Sequence, residues 1–251
     1  VSSYGLDTWA PESVDTYELG AKAKFQNFVK GTFNVAAFWN DFKNQQLSVG
    51  TLPCTTITGP GTQCPFIPAA SAGISNSGQS RIRGIEAEAS VTLFPGFLVD
   101  VGYTHLDTKI LSITPPLPPI GFTVVQTAGA GGPIPLSPKN KYTITGSYTL
   151  PLSPSIGRVI LGPTFPLKAS GFGAVSSIAS ALYKVAAQDL LNFNVNWNGI
   201  GGAPLDVSLF ATNVLKEKFY TISTGAAFGF DSVILNEPRM VGMRVRYSFS
   251  Q

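Results

Sequence analysis

The sequence predicts an all-β protein, a transmembrane antiparallel up-and-down β-barrel wall. Three observations carry that expectation: a strand-period alternation, a low share of charge, and connections that are alternately short and long. In the last strand Val241, Met243, Val245, Tyr247 and Phe249 take one beat, and Gly242, Arg244, Arg246 and Ser248 take the other. Successive side chains of a strand face opposite sides, so one face here is apolar and the other carries both arginines. The beat recurs about ten times with aromatic residues at strand ends, the pattern of a sheet with lipid on one side and water or polar protein on the other.

Composition narrows the choice. Charged residues make up 12% of the 251 and hydrophobic residues 44%, where about 25% charge is usual. No apolar run reaches about 18 residues, which excludes a transmembrane helix. A net charge of +3, scattered along the chain, gives no footprint for nucleic acid. The opening Val1-Ser2-Ser3-Tyr4 lacks the basic and apolar segments of a signal peptide, so the start is expected to be a processed or truncated end. Cys54 and Cys64 share one Pro/Gly/Thr-rich loop. A disulfide there suits an oxidising periplasm or cell surface and closes a short loop, the alternative being two unpaired thiols. Without a nearby His they make no zinc site.

The strands follow in order. Tyr17–Gln26 sets Tyr17, Leu19, Ala21, Ala23 and Phe25 against Glu18, Lys22 and Lys24. After a turn near Asn27–Gly31, Thr32–Val49 alternates Phe33, Val35, Ala37 and Trp39 with Asn34 and Asn40. A long loop, about Gly50–Gly78, leads to Ser80–Phe94, where Ile85, Ala87, Ala89, Val91 and Leu93 oppose Glu86, Glu88, Ser90 and Thr92. Pro95-Gly96 is a turn signal, and Phe97–Ile110 then opposes Phe97, Val99, Val101 and Tyr103 to Asp100, Gly102 and Thr104.

A second long loop, about Leu111–Pro138, has no charged residue. Lys141–Leu150 follows with the cleanest alternation, and then Arg158–Leu167, weakened as a strand by Pro163 and Pro166. Asp189–Trp197 and Leu205–Thr212 form a hairpin about Gly199–Gly202, and a third long loop, about Lys216–Glu237, returns to the last strand. Short turns are periplasmic in such barrels and long loops extracellular. Aromatic residues mark both expected interfaces: Phe25, Phe33, Phe94, Phe97, Trp197, Tyr247 and Phe249 on the short-turn side, and Tyr17, Trp39, Tyr103 and Tyr142 on the other. The competing reading is a soluble β-sandwich, but a sandwich seldom keeps every outer face polar with so little charge.

Several segments resemble the C-terminal half of the barrel of TonB-dependent outer-membrane receptors. Tyr17-Glu18-Leu19-Gly20-Ala21-Lys22 is similar to the family's Tyr-Glu-x-Gly-x-Lys strand, and Arg83-Gly84-Ile85-Glu86-Ala87-Glu88 to its Gly-x-Glu-x-Glu strand. Asn213–Tyr220 is similar to its Asn-Leu-Phe-Asp-Lys-x-Tyr segment, and Glu237-Pro238-Arg239 to the Pro-Arg start of the last strand. The resemblance implies residues 1–251 as about ten C-terminal strands of a plugged barrel of about 22, with the plug domain and N-terminal strands outside the chain. It implies active uptake across the bacterial outer membrane of a small-molecule nutrient or iron chelate. The partners are then outer-membrane lipid, the rest of the receptor, and the TonB complex acting through the N-terminal part, with no cofactor. A self-contained passive pore or adhesin is the alternative.

An arginine at the lipid-facing midplane costs about 2–4 kcal/mol. Arg244 and Arg246 are therefore expected to face the lumen, with Lys22, Lys24, Glu86, Glu88 and Asp100, either holding the plug or simply solvated. Phe66, Ile67, Phe122, Phe172 and Phe228 are the candidate substrate contacts in extracellular loops, together with Leu117 and Ile120. Loops so poor in charge favour a neutral or apolar ligand over an anionic one, unless their apolar residues only pack the loops together. His105, the single histidine, has no nucleophilic serine motif near it, so no hydrolase triad is expected.

Overall fold

The computed structural model describes residues 8–53, 71–114, 116, 122–126, 129–134, 136–172, 184–224 and 232–249. Its strands are β1 (Ser13–Phe25), β2 (Lys30–Pro53), β3 (Ser71–Phe94), β4 (Phe97–Ile113), β5 (Phe122–Gln126), β6 (Asn140–Thr149), β7 (Arg158–Lys168), β8 (Gly171–Phe172), β9 (Lys184–Val185), β10 (Gln188–Asp189), β11 (Asn192–Asn198), β12 (Leu205–Thr212), β13 (Tyr220–Thr224), β14 (Ser232–Leu235) and β15 (Met240–Tyr247). Nine of them form one antiparallel wall in the order β1-β2-β3-β4-β6-β7-β11-β12-β15. Every wall strand pairs with the next wall strand along the chain, which is the up-and-down topology.

The register turns the sequence alternation into two continuous faces. Ala21, Val35, Ala87, Tyr103 and Tyr142 form one cross-strand row. Further along, Phe193, Val195 and Trp197 oppose Ala211, Leu209 and Val207, which oppose Val241, Met243 and Val245. This apolar face is uncovered: Leu19 is 81% exposed and Val241 76%. Among the described residues the buried hydrophobics are Leu47, Val49, Ile110, Val185 and Phe219, all at the long-connection end. A water-soluble sheet buries its apolar face against a second layer. Here no second layer covers that face among the described residues.

The strands run further than their alternation suggested. β2 and β3 stay paired out to Thr51 and Ser71, inside the segment read as a loop. β5, within the charge-free segment, adds to the same extension by pairing Val49–Pro53 with Phe122–Gln126. Leu47 and Ile110 form a small core there with Ile113 and Ile134. The segment before β15 holds the β13–β14 hairpin. Short, irregular ladders of this kind carry no clean period in the sequence.

β7 is a full wall strand despite its prolines. No pairs join Gly146–Ser147 to Gly162–Pro163 in the β6–β7 ladder, where Pro163 has no N–H to give. The ring is accommodated because Gly146 faces it, with Pro163 Cγ 3.2 Å from where a Cβ of residue 146 would lie. Pro166 falls at the break between β10 and β11 on the other edge.

The short connections are locked by specific bonds. Gly96 takes φ +84° and a Cβ there would lie 2.7 Å from the Thr149 carbonyl oxygen, so glycine is required. Trp197 Nε1 donates to the Ile156 carbonyl at 2.8 Å, and Asp206 Oδ1 accepts from the Gly199 amide at 2.9 Å. Phe94, Phe97 and Tyr148 cluster at this end with ring centroids 5.0–6.0 Å apart.

Candidate functional site

The polar face of the wall is the candidate site. Strand pairing aligns Lys22 with Asn34, Asn34 with Glu88, and Glu88 with Gly102. Glu86 lies opposite Thr104, and Asp100 lies between Ser90 and Thr145. A cavity of about 420 Å³ opens there, lined by Glu86, Glu88, Asp100, Lys141, Thr143 and others. Gly102 leaves its floor empty, since a Cβ would meet nothing within 4 Å. Among the described residues the ion pairs are Lys43–Asp15, Arg81–Asp107 and Arg83–Asp107, so the three carboxylates of the cavity have no cation at that distance.

The seven polar-face residues expected from the sequence divide into separate groups. Glu86, Glu88 and Asp100 converge on the cavity. Lys24 lines a neighbouring concavity with Lys30, Ser90 and Thr92. Arg244 and Arg246 oppose Ser208 and Asp206, with β6, β7, β11 and β12 between them and the carboxylates. The carboxylates of β3 and β4 thus lie between lysines on β1 and β6, and the two arginines stand apart on β15.

Of the loop residues, Phe66, Ile67, Leu117, Ile120 and Phe228 lie outside the described residues, as do Cys54 and Cys64. Phe122 begins β5 opposite Pro53, and Phe172 is in β8 opposite Lys184. Both therefore belong to short strands at the long-connection end. Among the described residues no group of His, Cys, Asp or Glu side chains is placed to hold a metal ion.

Sequence reasoning missed a charged cluster at the edge of the apolar face. The register aligns Tyr17, Trp39, Arg83 and Asp107 in one row, and Asp15, Asp41, Arg81 and Lys109 in the row beyond. Arg83 bonds Asp107 Oδ2 through Nε at 2.7 Å, with its terminal nitrogen 2.6 Å from the same atom. Both guanidiniums flank the Trp39 ring, at 5.0 Å for Arg81 and 5.4 Å for Arg83. His105 Nδ1 lies 2.8 Å from Asn140 Oδ1, a carbonyl oxygen that also accepts from the Tyr103 hydroxyl at 3.1 Å. The signal was available: Arg81 and Arg83 share the phase of Ile85 and Ala87, not of Glu86 and Glu88.

A third cluster closes the base of the connection from β12 to β15. Asn213, in the left-handed region at φ 47°, donates through Nδ2 to the Glu217 and Glu237 carbonyls at 2.8 and 3.1 Å and accepts from the Glu217 amide at 2.8 Å. Asn236 repeats the device, accepting from the Phe219 amide at 3.0 Å and donating to the Glu217 carbonyl at 3.0 Å.

Comparison with known proteins agrees with this architecture. The sequence model of the TonB dependent receptor-like β-barrel matches residues 7–214. The chain belongs to that family. Its fold is similar to that of the ferric yersiniabactin uptake receptor FyuA from Yersinia pestis, at 16% identity and a TM-score of 0.67, over 95% of this chain and 30% of that one. It is also similar to the siderophore receptor PiuA from Acinetobacter baumannii, at 18% identity and a TM-score of 0.63, over 92% and 28%. The pyoverdine receptor FpvA from Pseudomonas aeruginosa gives 18% identity and a TM-score of 0.60, over 95% and 30%. The chain therefore spans under a third of the length of these solved receptors. A search of functionally curated proteins returned no match.

Proposed function

We propose that this chain forms part of the wall of a TonB-energised receptor in the bacterial outer membrane, which takes up a small iron chelate or nutrient. Residues 1–251 supply wall strands and extracellular loops, and the remaining strands and the plug come from the rest of the receptor. In this reading the apolar face meets lipid, the polar face meets the lumen, and the short connections are periplasmic. The observation that carries it is the pair of faces: among the described residues, an uncovered apolar side backed by a polar side whose carboxylate cavity holds no ion pair. Glu86, Glu88 and Asp100 accept hydrogen bonds from the plug, and because the cavity is open to water these contacts are modest enough to break when the plug is pulled.

Substrate class follows from the loops. Residues 50–78 and 111–138 contain no Asp, Glu, Lys, Arg or His. An anionic chelate is bound best by arginine forks and lysines, so a neutral or apolar ligand suits these loops better, with Phe66, Ile67, Phe122, Phe172 and Phe228 as contacts. The functional reading parallels FyuA, a ferric yersiniabactin uptake receptor, PiuA, a siderophore receptor, and FpvA, a pyoverdine receptor.

The test is uptake of radiolabelled ferric siderophores, neutral and anionic, by cells expressing the complete receptor. Uptake of a neutral chelate that stops when TonB is deleted supports the reading. Entry that persists without TonB, with steady conductance in planar bilayers, makes the barrel a passive pore instead.

A further inference from the structure

The charged cluster on the apolar face is not explained by uptake, because it lies on the face opposite the cavity. Its place is specific. The row Leu19–Ala37–Ile85 is apolar on β1 to β3 and continues to His105 and Asn140 on β4 and β6, and the next row outward holds Tyr17, Trp39, Arg83 and Asp107. The change from apolar to charged side chains is made across these two rows, at the end of the face where the long connections lie. With lipid against this face, these groups sit at headgroup depth.

The groups form a groove. Trp39, Arg83, Ile85, His105, Asp107 and Lys139 line a volume of about 490 Å³. Ile85 and the indole are apolar lining that suits an acyl chain, and Arg83, Asp107 and Lys139 are its charged lining. Arg81 and Lys109 stand side by side in the row above. Four cations thus meet two carboxylates, Asp107 and Asp41, and Asp41 already accepts a bond from Trp39 Nε1 at 2.9 Å. Among the described residues neither Lys109 nor Lys139 has a carboxylate within ion-pair distance, and Arg81 reaches Asp107 only at 3.8 Å. Arg81 Nε is buried without a hydrogen-bond partner among the described residues. Lys43 differs, being spent on Asp15 at 2.7 Å.

An excess of cation with unused donors selects an anion. Arginine forks match phosphate oxygens, and lysines add point charge. Basic groups at headgroup depth attract anionic lipid in general. The geometry points to a binding site for a phosphate-bearing lipid of the outer leaflet, its phosphate held by Arg81, Lys109 and Lys139 and its chain lying along Ile85 and Trp39. Arg83 is held by Asp107 and keeps the indole in place. The inference rests on the reading of the apolar face as lipid-facing.

The test uses the complete receptor purified in detergent, with diphosphorylated lipid A as probe and its dephosphorylated form as control, followed by native mass spectrometry and by titration. Wild type should retain the phosphorylated lipid through delipidation and bind the dephosphorylated form at least about ten-fold more weakly. The double variant Arg81→Gln/Lys139→Gln should lose about ten-fold in affinity, while Lys43→Gln binds as wild type. If the double variant does not fold, Lys139→Gln alone should still weaken binding several-fold. Equal binding by folded variant and wild type, or equal binding of the two lipids, overturns the site. Competition by inorganic phosphate at low millimolar concentration overturns the lipid assignment in favour of free anion. Failure of wild type to enter membranes at all would instead count against the lipid-facing reading itself.

Discussion

The Phe210 ring lies over Gly242, its direct cross-strand partner, and fills the space a Cβ on residue 242 would need. The same device recurs at Phe38 over Gly84, where the ring is 2.9 Å from that virtual Cβ and Leu106 closes the other side at 3.1 Å. In each pair the aromatic covers backbone that glycine leaves bare, and it does so on the polar face, where little else packs.

Gly242→Ala should therefore destabilise the wall by about 1–3 kcal/mol, the range for overpacking a filled site. Phe210→Ala should also cost stability. The double variant should cost less than the sum, because each change removes the other's reason to matter. Urea unfolding of the complete receptor in detergent, followed by tryptophan fluorescence, measures this coupling. Additive losses would show that ring and glycine do not depend on each other.

Met243→Arg and Ser208→Arg place the same charge on opposite faces of neighbouring strands. The first should cost about 2–4 kcal/mol near the membrane centre, and the second should be tolerated. Yield of heat-modifiable folded protein in outer-membrane fractions reads the difference.

Asn213→Ala removes three side-chain bonds within a backbone conformation that asparagine tolerates better than most residues. A loss of about 1–3 kcal/mol is expected, because the Glu217 amide loses its acceptor and the Glu217 and Glu237 carbonyls keep only the bonds from Asn236. The loss should be local, appearing as faster proteolysis within residues 214–236 while the barrel still resists heat.

Glu86→Gln and Glu88→Gln together should leave the barrel folded, since both side chains line an open cavity without an ion pair among the described residues. If these carboxylates hold the plug, losing charge-assisted bonds of about 1.5–3 kcal/mol each should raise leak conductance and lower energised uptake, with surface binding of ligand unchanged. Conductance and uptake both at the wild-type level would make these residues merely solvated.

Much of the wall was legible because a strand with different solvents on its two faces must alternate. Residues 17–25, 85–93 and 241–249 do so without a break, and that alone placed their faces. The features that escaped depend on pairing, which a single strand does not reveal. Pro163 weakened the case for β7 only because Gly146, the residue that receives its ring, lies across the ladder. β5 and the β13–β14 hairpin were read as loop because strands of four or five residues are too short to show a period. Arg81 and Arg83 were given no face although their phase puts them with Ile85, and their meaning appeared only once Trp39, Asp107 and Lys139 were brought beside them.

A nitroxide scan of residues 17–25 and 241–247 in the complete receptor, reconstituted in lipid, tests the two-faced wall most directly. Collision with oxygen, which concentrates in lipid, should peak at 17, 19, 21, 23, 241, 243 and 245. Collision with a water-soluble nickel chelate should peak at the intervening positions, including 22, 24, 244 and 246. The same phase on both strands supports a barrel wall between lipid and lumen. Loss of the two-residue period, or nickel access at 241, 243 and 245, would contradict it.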